Sequence, residues 1–499
     1  MRIMEVVLVT FNVVMLLWLV VGQQKSRQLL WGGLAVSAVL LVVQGWVEGW
    51  RWPLIPAYAL ALAPLLALIT HHRRCVRTDQ GGVKRCGARR IAALLSAFFY
   101  GTVTVAAPLL FPVFAFDEPT GPYGIGTVAY HWIDNTREET STLVAAGAKR
   151  ELNVRIWYPA SKDAKGTRAP YVPDSEVYTK AFQQESGLPQ LFLTSLGQAR
   201  THAVQHAALS NAEASYPVII FSHGFRGFEG QNMFQVEQLV SHGYIVAGIN
   251  HTYDSMASIF PDGRVALFDS VKNPESEIEP LEKMDRTNEV WVNDARFVLD
   301  QLEQLATDDP DQRFKGRIDM SRVGMFGHSF GGATTVQILL SDPRVLAGIN
   351  MDGSLYGERR IPTPGINKPF LMISADEEDD LAASGAVSDN HQANLDMTLG
   401  KVEQYNQELQ EQELHARLVP VKAGGNYWLK LPNTSHMSFS DFFLVTPIIE
   451  WVQGINARGT HRLVNEFTLD FFNHYLKGQP LQIMNSAVGT HDDYILEQG

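Results

Sequence analysis

Four long apolar runs crowd the first 116 residues, Ile3–Val21, Leu29–Val47, Leu54–Ile69 and Ile91–Phe114, and they narrow the folds open to this part of the chain to one class. A run of about 20 apolar residues matches the hydrocarbon thickness of a bilayer, where a helix satisfies its own backbone polar groups. The third run is the shortest and contains Pro56 and Pro64. The first is not expected to be a cleaved leader, because it lacks a small-residue cleavage site and further runs follow at once. Between the third and fourth runs, residues 71–90 hold seven Lys or Arg, which the positive-inside rule assigns to the cytoplasm. Lys25 and Arg27 then fall on the same side and Trp50-Arg51-Trp52 on the opposite one. Trp18, Trp31, Trp46, Trp50 and Trp52 lie near run ends, where interfacial aromatics collect. Residues 1–116 are therefore expected to anchor the chain in the cytoplasmic membrane as four helices, leaving everything after Asp117 extracytoplasmic. Ionisable residues are nearly absent away from the run ends, which suits an anchor better than a transporter. A gate that delivers lipid to the following domain is the alternative.

Charge separates the two parts of the chain. Up to Phe116, eleven Lys and Arg stand against three acidic residues; the whole chain carries −12, so the remainder carries about −20. So acidic a domain does not suit nucleic acid, whose binding rests on basic surface. The two cysteines, Cys75 and Cys86, both lie in the basic segment between runs, and no Cys-x-x-Cys or His-Glu-x-x-His spacing occurs. Neither a metal nor a cofactor is expected.

A turn-rich linker at 117–125 precedes a change of pattern. From 126 to 499, short apolar runs alternate with longer amphipathic ones. Strands are expected at Leu152–Trp157, Val218–Phe221, Ile245–Ile249, Val323–Phe326, Val345–Asn350, Phe370–Ala375 and Tyr427–Leu431. Helices are expected at Gln231–His242, Glu282–Leu305, Gly331–Leu340 and His461–Leu476. Continuous apolar strands alternating with helices imply a mostly parallel sheet covered on both faces. Residues 161–215 are polar and irregular, and read as an insertion or lid.

Within that pattern, Gly327-His328-Ser329-Phe330-Gly331 fits G-x-S-x-G directly after an apolar strand and directly before a helix. A strand turning sharply into a helix exposes the serine hydroxyl at the top of the sheet, so Ser329 is the candidate nucleophile. The N–H of Phe330 is one expected donor to the oxyanion. The N–H of Phe225 is the second, because Phe221-Ser222-His223-Gly224-Phe225 ends an earlier strand in a His-Gly turn. The intervening His328 is expected to pack against the sheet.

The run Val218–Gly224, the segment Ser241–Ala247 and Gly327–Ala333 together resemble the platelet-activating factor acetylhydrolase family of the α/β-hydrolase superfamily. The likeness extends from Ile156-Trp157-Tyr158-Pro159 to about Phe442 and leaves out the apolar block. It implies an α/β-hydrolase fold, and Ser–Asp–His ester hydrolysis without metal or cofactor, commonly on phospholipids bearing a short acyl chain.

A general base must follow the last strand, and His436 does; its context, His436-Met437-Ser438-Phe439-Ser440-Asp441-Phe442, also matches the family's. His461 and His474 fall within an expected helix and read as surface or packing residues. Two aspartates satisfy the order Ser, Asp, His: Asp352 after the strand beside the nucleophile strand, and Asp376 after the next one. The resemblance favours Asp352. Asp376 belongs to an acidic cluster with Glu377, Glu378, Asp379 and Asp380 that reads as a solvated loop. The expected function is a membrane-anchored serine carboxylic-ester hydrolase acting on short-acyl or lipid-like esters. A serine peptidase or polyester hydrolase on the same fold is the nearest alternative, and a non-catalytic tethered domain the further one.

Overall fold

The computed structural model describes residues 1–21, 26–76, 86–187, 189–269, 281–362, 365–375 and 425–499. The chain divides into two units. One comprises Met1–Phe114 with Gly187–Gln198 and Val445–Ile448; the other comprises Ala115–Ser186, Ala199–Leu444 and Ile449–Gly499.

The first unit is built on α1 (Ile3–Val21), α2 (Arg27–Val47), α3 (Ile55–Leu60), α4 (Ala63–Val76) and α5 (Cys86–Leu110). Four stretches, Ile3–Val21, Arg27–Val47, Trp52–Ile69 and Ile91–Leu110, are long and apolar enough to cross a membrane. The third is broken: a 3₁₀ turn at Trp52–Leu54 enters α3, and the chain restarts as α4. Pro56 and Pro64 sit in the opening turns of those helices, where the missing N–H has no partner to lose. Several polar groups buried among its helices are paired, as burial away from water requires. Glu5 meets Arg51 at 2.7 Å. Glu48 accepts the N–H groups of Met4 and Glu5 at 2.8 and 3.0 Å, satisfying the start of α1. Ser37 donates to Asn12 at 3.0 Å, and Asn12 donates to the Ala57 carbonyl at 3.1 Å.

The second unit opens with β1 (Gly124–Glu138), β2 (Lys149–Ala160), β3 (Arg168–Pro170) and α6 (Ser175–Ser186). After α7 (Gln190–Leu193), which belongs to the first unit, come β4 (Arg200–Gln205), β5 (Tyr216–Ser222), α8 (Met233–Ser241) and β6 (Ile245–Asn250). A small hairpin of β7 (Ala257–Ile259) and β8 (Val265–Leu267) precedes α9 (Leu281–Thr307). Then follow β9 (Ile318–His328), α10 (Phe330–Ser341), β10 (Val345–Met351), β11 (Phe370–Ala375) and β12 (Tyr427–Leu431). The chain closes with α11 (Pro447–Gln453), α12 (Ala457–Lys477), α13 (Met484–Ala487), β13 (Gly489–Thr490) and β14 (Ile495–Gln498).

Among the described residues one sheet runs in the order β13-β14-β12-β11-β10-β9-β5-β6-β2-β1-β4-β3. Its centre, β12 through β6, is parallel throughout. Strands β5, β6 and β11 are buried at every position, as a sheet covered on both faces demands. Helix α9 lies on it through Val292, Ala295, Val298, Leu299 and Leu302, at three- and four-residue spacing. This is the α/β-hydrolase architecture. Every strand expected from the sequence forms, and β1, β3, β4, β7, β8, β13 and β14 are additional. Residues 161–215, read above as an insertion or lid, hold β3 and β4 at one edge of the sheet with α6 between them.

Candidate active site

Parallel strands of one sheet end at one rim, so side chains just past their C-terminal ends are brought together. Ser329 follows β9 and precedes α10 with φ 54° and ψ −121°, a conformation that a non-glycine residue adopts only under local constraint. Its N–H donates to the Met351 carbonyl at 2.8 Å, tying the elbow to the end of β10. The turn leaves no room for side chains around it. A β-carbon at position 331 would lie 2.1 Å from the Ser222 carbonyl oxygen, which explains the second glycine of the motif.

Asp352 follows β10, also with positive φ (53°), and its N–H donates to Ile373 at 2.7 Å. One carboxylate oxygen accepts the Ala375 N–H at 2.9 Å, and the other lies 2.7 Å from His436 Nδ1. Burial would raise this carboxyl, but the hydrogen bond and charge of His436 and the Ala375 N–H outweigh it and hold it below the usual range. His436 opens a short 3₁₀ turn after β12, fixed by reciprocal capping between Ser435 and Ser438. Its Nε2 lies 2.9 Å from Ser329 Oγ. Hydroxyl, imidazole and carboxylate therefore form one unbroken series. Such a series can take the serine's proton and stabilise the imidazolium that results. Asp376, the other aspartate considered, lies outside the described residues.

The two residues expected to supply the oxyanion donors lie side by side at the elbow. The rings of Phe225 and Phe330 are 5.5 Å apart. A β-carbon at Gly224 would lie 3.2 Å from Ser329 Cβ, so the His-Gly turn rests directly against the nucleophile. The Gly224 carbonyl accepts His223 Nδ1–H at 2.6 Å and the Gly227 N–H at 2.8 Å. Peptide planarity then fixes the Phe225 N–H on the opposite side of the same unit. Neither the Phe225 nor the Phe330 N–H is taken by another group among the described residues.

Beneath this turn lies a second Ser–His–Asp series. Ser222 Oγ is 3.0 Å from His251 Nε2, and His251 Nδ1 is 2.9 Å from Asp294, which also binds Arg150 at 2.6 Å. All three residues are fully buried, so no substrate reaches them, and the series holds up the loop above it. Geometry alone does not make a site; Ser329 and Asp352 differ in lying at the rim, half-buried, with His436 partly open to solvent.

Other polar residues near the site take structural places. Asp254 accepts the Trp291 indole N–H at 3.1 Å and its carbonyl holds Arg226 N–H at 3.0 Å. His461 is buried and stacked on Phe234 at 3.8 Å, whereas His474 bonds Gln479 near the end of α12. His328 does pack at the end of β9, but it also bonds Gln231 at 2.7 Å and the His436 carbonyl at 2.9 Å. Nothing in the sequence pairs positions 231 and 328; only the folded sheet brings them together. No cluster of three or more metal-ligating side chains occurs among the described residues.

A family model described as platelet-activating factor acetylhydrolase, isoform II, matches residues 112–480. Platelet-activating factor acetylhydrolase of Cavia porcellus is 28% identical over 279 residues, covering 51% of this chain and 59% of that protein. A probable 1-alkyl-2-acetylglycerophosphocholine esterase of Arthroderma benhamiae is 29% identical over 142 residues, covering 28% of this chain and 32% of that protein. Matches to four such acetylhydrolases span 53% to 65% of their length. Among solved structures, a ferulic acid esterase from Streptomyces cinnamoneus superposes with a TM-score of 0.53 at 26% identity, covering 74% of this chain and 95% of that one.

Proposed function

The chain belongs to the platelet-activating factor acetylhydrolase, isoform II, family, and from that premise we propose that it is a serine carboxylic-ester hydrolase acting on short-acyl, lipid-like esters. Ser329 Oγ attacks the ester carbonyl while His436 Nε2 takes its proton and Asp352 stabilises the imidazolium. The N–H groups of Phe225 and Phe330 receive the charge that gathers on the carbonyl oxygen; one such donor is worth about 3–4 kcal/mol. The tetrahedral species collapses, the C–O bond to the alcohol breaks, and His436 returns the proton to the departing oxygen. Water, deprotonated by the same imidazole, then releases the acid and restores the hydroxyl. The reading rests on the unbroken Ser329–His436–Asp352 series at 2.9 and 2.7 Å.

The four apolar helices hold the enzyme in the cytoplasmic membrane, and the basic residues of 71–90 support an extracytoplasmic catalytic domain. A bilayer-borne enzyme meets lipid esters at high local concentration, which favours a phospholipid with a short sn-2 acyl group. The ferulic acid esterase likeness favours a second reading, an ester other than a phospholipid. Hydrolysis of an sn-2 acetyl phospholipid in vesicles, set against a matched soluble acetyl ester, separates the two. Preference for the vesicle lipid is expected; equal or better turnover of the soluble ester would remove lipid specificity and leave the ester hydrolase.

A further inference from the structure

We propose that Gln231 and His328 form a positioning pair that joins the oxyanion turn to the backbone of His436 through one directed hydrogen-bond chain; this rests on the reading of Ser329 as nucleophile. The direction follows from elementary donor and acceptor chemistry. The Gly224 N–H can only donate, and it meets Gln231 Oε1 at 2.9 Å. The amide NH₂ of Gln231 therefore faces the other way, towards His328 Nδ1 at 2.7 Å. That nitrogen must accept, so the proton of a neutral ring sits on Nε2. His328 Nε2 in turn lies 2.9 Å from the His436 carbonyl, which can only accept. Each link dictates the next, and no member can rotate without breaking two bonds.

The surroundings favour a rigid tie. Gln231 and His328 are 8% and 1% exposed, so a polar group left unmet there is costly. The Gln231 carbonyl also accepts the Asp441 N–H at 3.0 Å, and His328 directly precedes the nucleophile. His436 needs such a tie, because its side chain is 43% exposed and its ring must stay between Asp352 and Ser329. The two histidine rings are 4.7 Å apart. Burial first, and the charge of His436 second, push His328 down to about 3, so it stays neutral when His436 carries the transferred proton. The pair thus registers the two halves of the site, oxyanion donors and base, against each other.

Reversing the polarity without changing the volume tests this in the full chain. Gln231→Glu keeps an acceptor for the Gly224 N–H but offers no donor to His328. A neutral His328 then takes its proton on Nδ1 and turns a lone pair towards the His436 carbonyl. The expected outcome is a kcat lower by about tenfold or more with KM within about twofold, since the loss falls on alignment. His328→Gln preserves one acceptor and one donor in the same order and is expected to stay within about threefold of the parent, whereas His328→Leu follows Gln231→Glu. Wild-type kcat in Gln231→Glu, or an equal loss in His328→Gln and His328→Leu, overturns the proposal in favour of simple packing. The parent and Ser329→Ala are assayed alongside. If the parent shows no Ser329-dependent turnover, the functional reading fails, and the ¹⁵N spectrum of His328 still decides the pair. A neutral ring protonated on Nε2 is expected, and protonation on Nδ1 overturns it.

Discussion

At Ser329 and Asp352 the backbone itself is unusual: both hold positive φ without being glycine, at the ends of adjacent parallel strands. Constraint of this kind persists where surrounding contacts enforce it, and here they do, through Met351 O on one residue and Ile373 O on the other. In the proposed triad Asp352 keeps His436 in the tautomer whose Nε2 is free to accept. Asp352→Asn is therefore expected to lower kcat by about 10⁴ while leaving the fold intact, measured as steady-state hydrolysis beside a thermal melt. Loss of less than tenfold would move the acid's role elsewhere, and Asp376 would be the residue to change next. The serine and histidine were legible because each sits in a local pattern, an elbow in one case and a post-strand turn in the other. The acid was ambiguous from the residues alone, since two consecutive strands end beside an aspartate. Gln231 and His328 were not legible as a pair at all. They lie 97 residues apart, and a glutamine before a helix carries no sign of its partner.

The His-Gly turn after β5 is the element on which the proposed oxyanion site depends. Gly224 is a close approach, since a β-carbon there would stand 3.0 Å from His328 Nδ1 and 3.2 Å from Ser329 Cβ and would crowd both. Gly224→Ala should push the turn away from the elbow and lower kcat by about 10², with KM little changed. An unaffected kcat would mean that Phe225 N–H is not a donor in the reaction. The parallel strands were readable because burial on both faces writes them as continuous apolar runs. Strand β1 escaped because it starts apolar and ends in Ile133-Asp134-Asn135-Thr136-Arg137-Glu138, with no period of two. The edge strands β3 and β13 span three and two residues, too short to carry a pattern.

For the molecule as a whole, acid should weaken the fold from a higher pH than carboxylates alone would set. Burial holds His328 to about 3 and His461 to about 4, and it lowers His223 and His251 as well. Unfolded histidines take up protons near pH 6.5, so the unfolded chain binds more protons below that value. Stability is then complete above about pH 6.5 and falls towards pH 3–4, by up to about 1.4 kcal/mol per pH unit for each such residue. His202 acts in the opposite sense: burial lowers it, but the hydrogen bond and charge of Glu237 outweigh that and raise it, so its contribution is lost as pH rises. Melting temperature against pH should therefore decline below 6.5, with a shallower decline in His461→Phe, which keeps the stack on Phe234. A curve flat down to pH 5 would contradict the buried neutral histidines.

The four apolar helices should also keep the full chain in the membrane fraction after an alkaline carbonate wash. Release of the chain into the supernatant would show that they do not span the bilayer. The central claim is chemical, that Ser329 is the nucleophile, and Ser329→Ala tests it most directly. Acetate release from an sn-2 acetyl phospholipid by the parent and by this variant, both in vesicles, is the measurement. A fall in turnover on the order of 10⁶ is expected. A variant that kept most of the parent's rate would place the chemistry at another group and contradict the account.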